Sequence, residues 1–207
     1  QKVNIKLFAE LLGWYVSEGC FENNNYCIKI TQKPNQYRKR IIEIMSHYGK
    51  VQIKGNDISI FNKHLYDWLK FNCYNGGYGF KYKTVPRYIL NSSREVIDIF
   101  LEAFCRGDGY YHYDSRYYVT SSVNLVDDLI EAIYKLGKKA GSYKKYEAGS
   151  IGYIKGRKII RTEDNWVVFE CKNNKCGYHY GLKPTNTTTY KGEVYSLIIS
   201  GDSRLMF

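Results

Sequence analysis

Two stretches 90 residues apart decide how the chain reads: Leu11-Leu12-Gly13-Trp14-Tyr15-Val16-Ser17-Glu18-Gly19 and Leu101-Glu102-Ala103-Phe104-Cys105-Arg106-Gly107-Asp108-Gly109. Each is the end of a predicted helix that closes on an acid followed by glycine. Small residues recur at i and i+4 in both, Gly13 with Ser17 and Ala103 with Gly107, and residues so spaced share one helix face. Small side chains there let two helix backbones approach closely, which would bring Glu18 and Asp108 to the same end of a shared interface. Two carboxylates ~4 Å apart repel by ~4 kcal/mol at an effective dielectric of 20, and a helix C-terminus disfavours anions as well. A divalent cation would compensate both effects, and an oxygen-only site suits Mg²⁺, which keeps waters and accepts phosphate oxygens as further ligands. One acid-glycine pair marks only a solvated helix end; two at equivalent points of a repeat point to chemistry.

Outward from these stretches the pattern is duplicated. Residues 5–18 read as a helix, 26–31 as a strand with Tyr26, Ile28 and Ile30 on one face, and 35–48 as an amphipathic helix stopped by Gly49. Val51 and Ile53 lead into a Gly55-Asn56-Asp57 turn, Ile58 and Ile60 return, and Asn62 can cap a short helix through Leu69. A glycine-bearing loop spans 72–80. The order then restarts. Ser92-x-x-Glu95 reads as a capping box opening a helix to about Gly107, two strands fill 110–121, a helix over 123–136 stops at Gly137, and strands follow over 142–172. Gly19 and Gly109 lie 90 residues apart and Gly49 and Gly137 lie 88 apart, a register that predicts two half-domains of like topology about a pseudo-twofold axis.

Composition narrows the partner. With 207 residues, 44% hydrophobic and only 3 Pro, the chain can bury a sizeable core and is neither disordered nor fibrous. It has no apolar run near the roughly 20 residues a membrane span needs, so the reading is of a soluble, cytoplasmic protein. A start at Gln1 suggests an excised piece. Lys plus Arg number 31 against 20 Asp plus Glu, a net charge of +11, which favours a polyanion because neutralised phosphates release counterions. Lys29, Lys144, Lys145 and Lys155 on predicted strands are the candidate DNA contacts. Six cysteines, Cys20, Cys27, Cys73, Cys105, Cys171 and Cys176, have no disulfide spacing and read as reduced thiols. Cys171, Cys176 and His179 could offer three zinc ligands, one short of a structural site.

The paired stretches resemble the signature helix of the LAGLIDADG homing endonucleases, which single-chain members carry twice; Ala103 stands where the signature has glycine. Two further elements match. Lys83-Thr84-Val85-Pro86 is similar to a Lys-x-(Ile/Val)-Pro element of endonucleases embedded in inteins, and Ile30-Thr31-Gln32-Lys33 ends where members place a polar residue and an active-site lysine. The resemblance implies an α+β fold of two pseudo-symmetric αββαββα half-domains, with the signature helices packed between them and a curved sheet of each half set in the major groove. It implies half-domains at 1–91 and 92–182, with 183–207 as a C-terminal strand segment like the resumption of a splicing domain. It further implies a monomeric, Mg²⁺-dependent enzyme cleaving both strands of a long specific DNA site, with Glu18 and Asp108 as metal ligands and Gln32, Lys33 and Lys83 as catalytic candidates. Alignment of Ile30-Thr31-Gln32-Lys33 with Val119-Thr120-Ser121-Ser122 puts Ser122 opposite Lys33, so one half lacks that lysine. The rival reading is a relative that has lost cleavage and acts as an RNA maturase or DNA-binding regulator. No terminal His-Asn pair and no nucleophile at position 1 are present, so the chain as given would not splice itself.

Overall fold

The computed structural model describes residues 4–22, 25–154 and 156–171. The first half runs α1 (Ile5–Glu18), β1 (Gly19–Glu22), β2 (Cys27–Thr31), α2 (Arg38–Ser46), β3 (Gln52–Lys54), β4 (Asp57–Phe61) and α3 (Lys63–Asn72). A 3-10 turn at Phe80–Tyr82 and the short α4 (Arg87–Leu90) lead to the second half: α5 (Arg94–Asp108), β5 (Gly109–His112), β6 (Ser115–Thr120), α6 (Val123–Lys135), β7 (Ala140–Tyr146), β8 (Ile151–Ile154), β9 (Arg157–Ile160) and β10 (Asn165–Glu170). The strands form two antiparallel sheets of the same order, β1-β2-β4-β3 and β5-β6-β10-β7. The second half interrupts that plan with a separate β8-β9 hairpin between its third and fourth sheet strands. The segment that would close it with a third helix, the expected 183–207 strand, and Lys155, Cys176 and His179 all lie outside the described residues.

Local chemistry explains several element ends. Asn4 caps α1 by accepting from the Lys6 and Leu7 amides at 3.1 and 3.3 Å, and Asn62 caps α3 by accepting from the Leu65 amide at 3.0 Å. Three expectations fail locally. Ser92 does not cap α5: its hydroxyl donates to the Tyr88 carbonyl at 2.6 Å, and Ser93 takes the N-cap position instead. Tyr26 sits outside β2 at φ 52, so it belongs to the turn before the strand. The helix expected over 35–48 shortens to Arg38–Ser46, because the Asn35 side chain accepts from the Tyr37 and Arg38 amides and holds a turn ahead of it.

One hydrophobic core joins both halves. Alternate strand residues Ile28, Ile30, Ile58 and Ile60 of the first sheet and Tyr118 and Val168 of the second face the helices and are buried. The seven consecutive residues Leu11–Ser17 are all buried, so α1 is covered on every side and acts as a central element rather than a surface helix. The second half also buries a charged cluster. Arg116 donates to Glu170 and Asp98, each at 2.7 and 2.6 Å, and the Tyr118 hydroxyl donates to Glu170 at 2.9 Å, with Arg116 and Glu170 both buried.

Candidate active site

The site is set by how closely α1 and α5 cross. A Cβ built on Gly13 would lie 2.4 Å from the Phe100 carbonyl oxygen and 2.6 Å from Ala103 Cβ, and one built on Gly107 would lie 2.2 Å from Ser17 Oγ. Each contact therefore joins equivalent positions of the two repeats and pairs one glycine with one small side chain. Ser17 satisfies its hydroxyl inside its own helix, donating to the Gly13 carbonyl at 3.0 Å. At the end of this crossing Glu18 Cγ lies 3.1 Å from the same built Cβ of Gly107, which brings the two acids to neighbouring helix ends.

Their electrostatics follow from that placement. Burial raises the Glu18 carboxyl, with Lys83 opposing. Asp108 opens to solvent through a cleft of about 180 Å³ shared with Ser17, Lys83, Thr120, Ser121 and Asn165. The protein around it and then the charge of Glu18 push its carboxyl up to about 7. Two half-desolvated carboxylates that resist ionising together make an oxygen-only donor pair fitting a hard divalent cation that retains waters. Among the described residues no group of three or more His, Cys, Asp or Glu side chains could hold a metal ion.

Lys83 borders this cleft, but its ammonium is not free to meet a phosphate. It is buried, and its ammonium donates to the carbonyls of Tyr15, Val16, Ser17 and Gly19 at 3.2, 2.9, 3.1 and 2.7 Å. It thus neutralises the carbonyl end of α1, the end that carries Glu18. Burial pushes the ammonium down to about 8, while Asp108 and other neighbouring acidic groups hold it up. The same segment grips the second half: the Ser122 hydroxyl donates to the Lys83 carbonyl at 2.6 Å, and Asp128 of α6 accepts from the Thr84 hydroxyl and from the Val85 amide at 2.8 Å.

Strand register corrects the alignment of the halves. Gly19 pairs with Ile30 and Gly109 pairs with Tyr118, so Ile30 matches Tyr118 and Lys33 matches Ser121, one residue before the expected Ser122. Ser122 is instead the N-cap of α6. Lys33 is exposed two residues beyond β2. Gln32 is held by its backbone: its amide donates to the Asn56 carbonyl at 2.9 Å and its carbonyl accepts from Arg38, which also donates to the Gly55 carbonyl at 2.7 Å. Asn165 escaped sequence reading because pairing of β10 with β6 and β7, not spacing, brings it to the cleft.

The candidate DNA contacts are not equally free. Lys29 is paired with Glu22 and Asp57 at 2.6 and 3.3 Å. Lys144 is paired with Asp164 at 2.7 Å and lies over the Trp166 ring, and Lys145 lies over the Tyr146 ring.

Among solved structures, that of I-DmoI in complex with DNA and Mn superposes with a TM-score of 0.55 at 15% identity, over 81% of this chain and 91% of that one. The chain has the LAGLIDADG homing endonuclease fold. Full-length DUF199/WhiA from Thermatoga maritima also superposes, at a TM-score of 0.51 and 9% identity, over 83% of this chain and 53% of that one. No protein-family model matches the chain. In sequence it is 31% identical over 155 residues to a DNA polymerase of Thermococcus litoralis and 31% identical over 157 residues to one of Thermococcus aggregans, matching 67% of this chain in each case. The matched segment spans only 9% and 8% of those polymerases. Among the described residues no helix is long and apolar enough to cross a membrane.

Proposed function

We propose that the chain is a site-specific, Mg²⁺-dependent endonuclease that cuts both strands of double-stranded DNA, and that it is the homing module of an intein. The observation that carries this reading is the pair Glu18 and Asp108 at one end of the α1-α5 crossing, both carboxyls raised by the loss of water around them and that of Asp108 further by Glu18. A protein that only binds DNA gains nothing from two carboxylates held together. The fold alone does not decide the matter, so the acids must. Glu18 and Asp108 would hold the cation; when bound it would polarise a phosphodiester and lower the pKa of an attacking water.

The remaining tasks fall to this chain's side chains. Lys33 offers a cation to the phosphate in one half, where its counterpart Ser121 offers only a hydroxyl in the other. Lys83 holds the Glu18 end of α1 in place rather than meeting substrate. The +11 charge supplies phosphate affinity that falls with salt. Support for the insert reading comes from the short span of the match, under a tenth of each of the two polymerases, since an inserted module would match only that much of a host. Ser121 is the one observation that favours a second reading, a nucleic-acid-binding relative without cleavage. Incubation with a randomised plasmid library with and without Mg²⁺, followed by sequencing of broken ends, tests the two. Ends at one long sequence, only with the ion, are expected; specific binding with no ends would favour the second reading.

A further inference from the structure

The two sheets have matching registers and opposite chemistry on their open faces. In the first, the residues turned away from the helices include Glu22, Lys29, Asp57 and Ser59, and Thr31 donates to Asp57 at 2.8 Å beside the Glu22-Lys29-Asp57 ion pairs. In the second, the positions equivalent to Cys20, Lys29, Ser59 and Lys54 are Tyr110, Tyr117, Phe169 and Tyr143. These rings form one row across β5, β6, β10 and β7. Tyr110 and Tyr117 stack at 5.0 Å and 19°, Tyr117 and Phe169 at 5.4 Å and 14°, and Phe169 meets Tyr143 at 6.2 Å. Gly141 makes room for it, because a Cβ there would lie 2.5 Å from Phe169 Cζ. Tyr110 and Tyr143 are 39% and 44% exposed.

An exposed apolar row marks a contact surface, and this one runs into the Asp108 cleft, which Val119, Ser121 and Asn165 of the same sheet help to line. Its occupant is therefore sought at the DNA that the cleft would act upon. The inner rings Tyr117 and Phe169 spend their faces on their neighbours, so they offer no platform for an unpaired base; the exposed rings are the outer pair Tyr110 and Tyr143, whose side chains hydrogen-bond to each other across the row. The apolar group that a major groove presents is the thymine C5-methyl. We infer that the open face of the second sheet reads thymine methyl groups, whereas the first sheet selects by hydrogen bonds from Glu22, Lys29 and Asp57, so the two half-sites differ in base chemistry. This rests on the DNA-binding reading above.

The test is selection of bound duplexes from a randomised pool by the whole chain, followed by replacement of thymine with uracil in one half-site at a time. A thymine run is expected on one side of the site, with affinity falling about four-fold per methyl lost there, from the value of a buried methylene, and unchanged on the other side. The double variant Tyr110→Ser/Tyr143→Lys should lose that sensitivity. If uracil is tolerated in both halves of a selected sequence, the inference is overturned while DNA binding stands. If the variant instead melts far earlier and the parent ignores uracil, the row is covered by protein and the inference is equally overturned. Failure to select any sequence overturns the DNA-binding reading and this inference with it.

Discussion

Ser122 donates its hydroxyl to the carbonyl of Lys83 at 2.6 Å, and the ammonium of that same lysine donates to the Gly19 carbonyl at 2.7 Å. A single residue between the halves thus ties the start of α6 to the end of α1. Lys83→Met keeps the apolar stem but leaves carbonyls at the end of α1 without their donor. We predict a loss of about 2–4 kcal/mol from unsatisfied buried groups, read by urea denaturation. Ser122→Ala should lose about 1–2 kcal/mol by the same measure, through the cap and one hydrogen bond. Equal stability of Lys83→Met and the parent would mean that the ammonium is not holding this helix end.

Acidity of the paired carboxylates gives a pH signature. The Asp108 carboxyl rises from 3.8 to about 7, so between those values the folded chain binds more protons than the unfolded chain, and stability falls as pH rises through that window. In EDTA, thermal unfolding should show this decline, and Asp108→Asn should flatten it. Lys83 acts in the opposite sense at higher pH. Its ammonium is lowered from 10.5 to about 8, so stability rises as pH increases from about 8 to 10.5 and is lost on the way down.

Either neutral variant, Glu18→Gln or Asp108→Asn, should abolish cleavage of the selected DNA site while binding survives, since each removes a ligand of the cation. Because protons compete with the cation for Asp108, the midpoint of the rate against pH should move lower as Mg²⁺ is raised. Full cleavage by either variant would remove these acids from the chemistry.

Lys33→Ala should slow single-turnover cleavage by about 10²–10³, the range for loss of one preorganised charge contact, and Ser121→Ala much less. The proper comparison is with Ser121, since register matches that residue to Lys33. Comparable small effects in both would place Lys33 outside the site.

At the helix crossing, Gly13→Ala should destabilise by about 1–3 kcal/mol or more through overpacking against Ala103 and the Phe100 carbonyl. Adding Ala103→Gly should recover part of that loss, because the added methyl then meets a vacated position. Chemical denaturation of the single and double variants measures the coupling.

Much of this protein was legible in its residues. The duplicated acid-glycine helix ends, the small residues at i and i+4, and the alternation of Ile28, Ile30, Ile58 and Ile60 are periodic, and period reports which face an element buries. These determined the fold class and the meeting of Glu18 with Asp108. Tertiary structure decided what depends on partners distant in sequence. Lys83 reads as a cation for phosphate until four carbonyls of α1 surround it. Ser122 stands opposite Lys33 by counting, whereas pairing of Gly109 with Tyr118 moves the match to Ser121, since a one-residue slip of register sends a side chain to the other face of a sheet. The aromatic row Tyr110, Tyr117, Phe169 and Tyr143 comes from four strands and has no signature in any one of them, because only hydrogen bonding between strands sets those rings side by side.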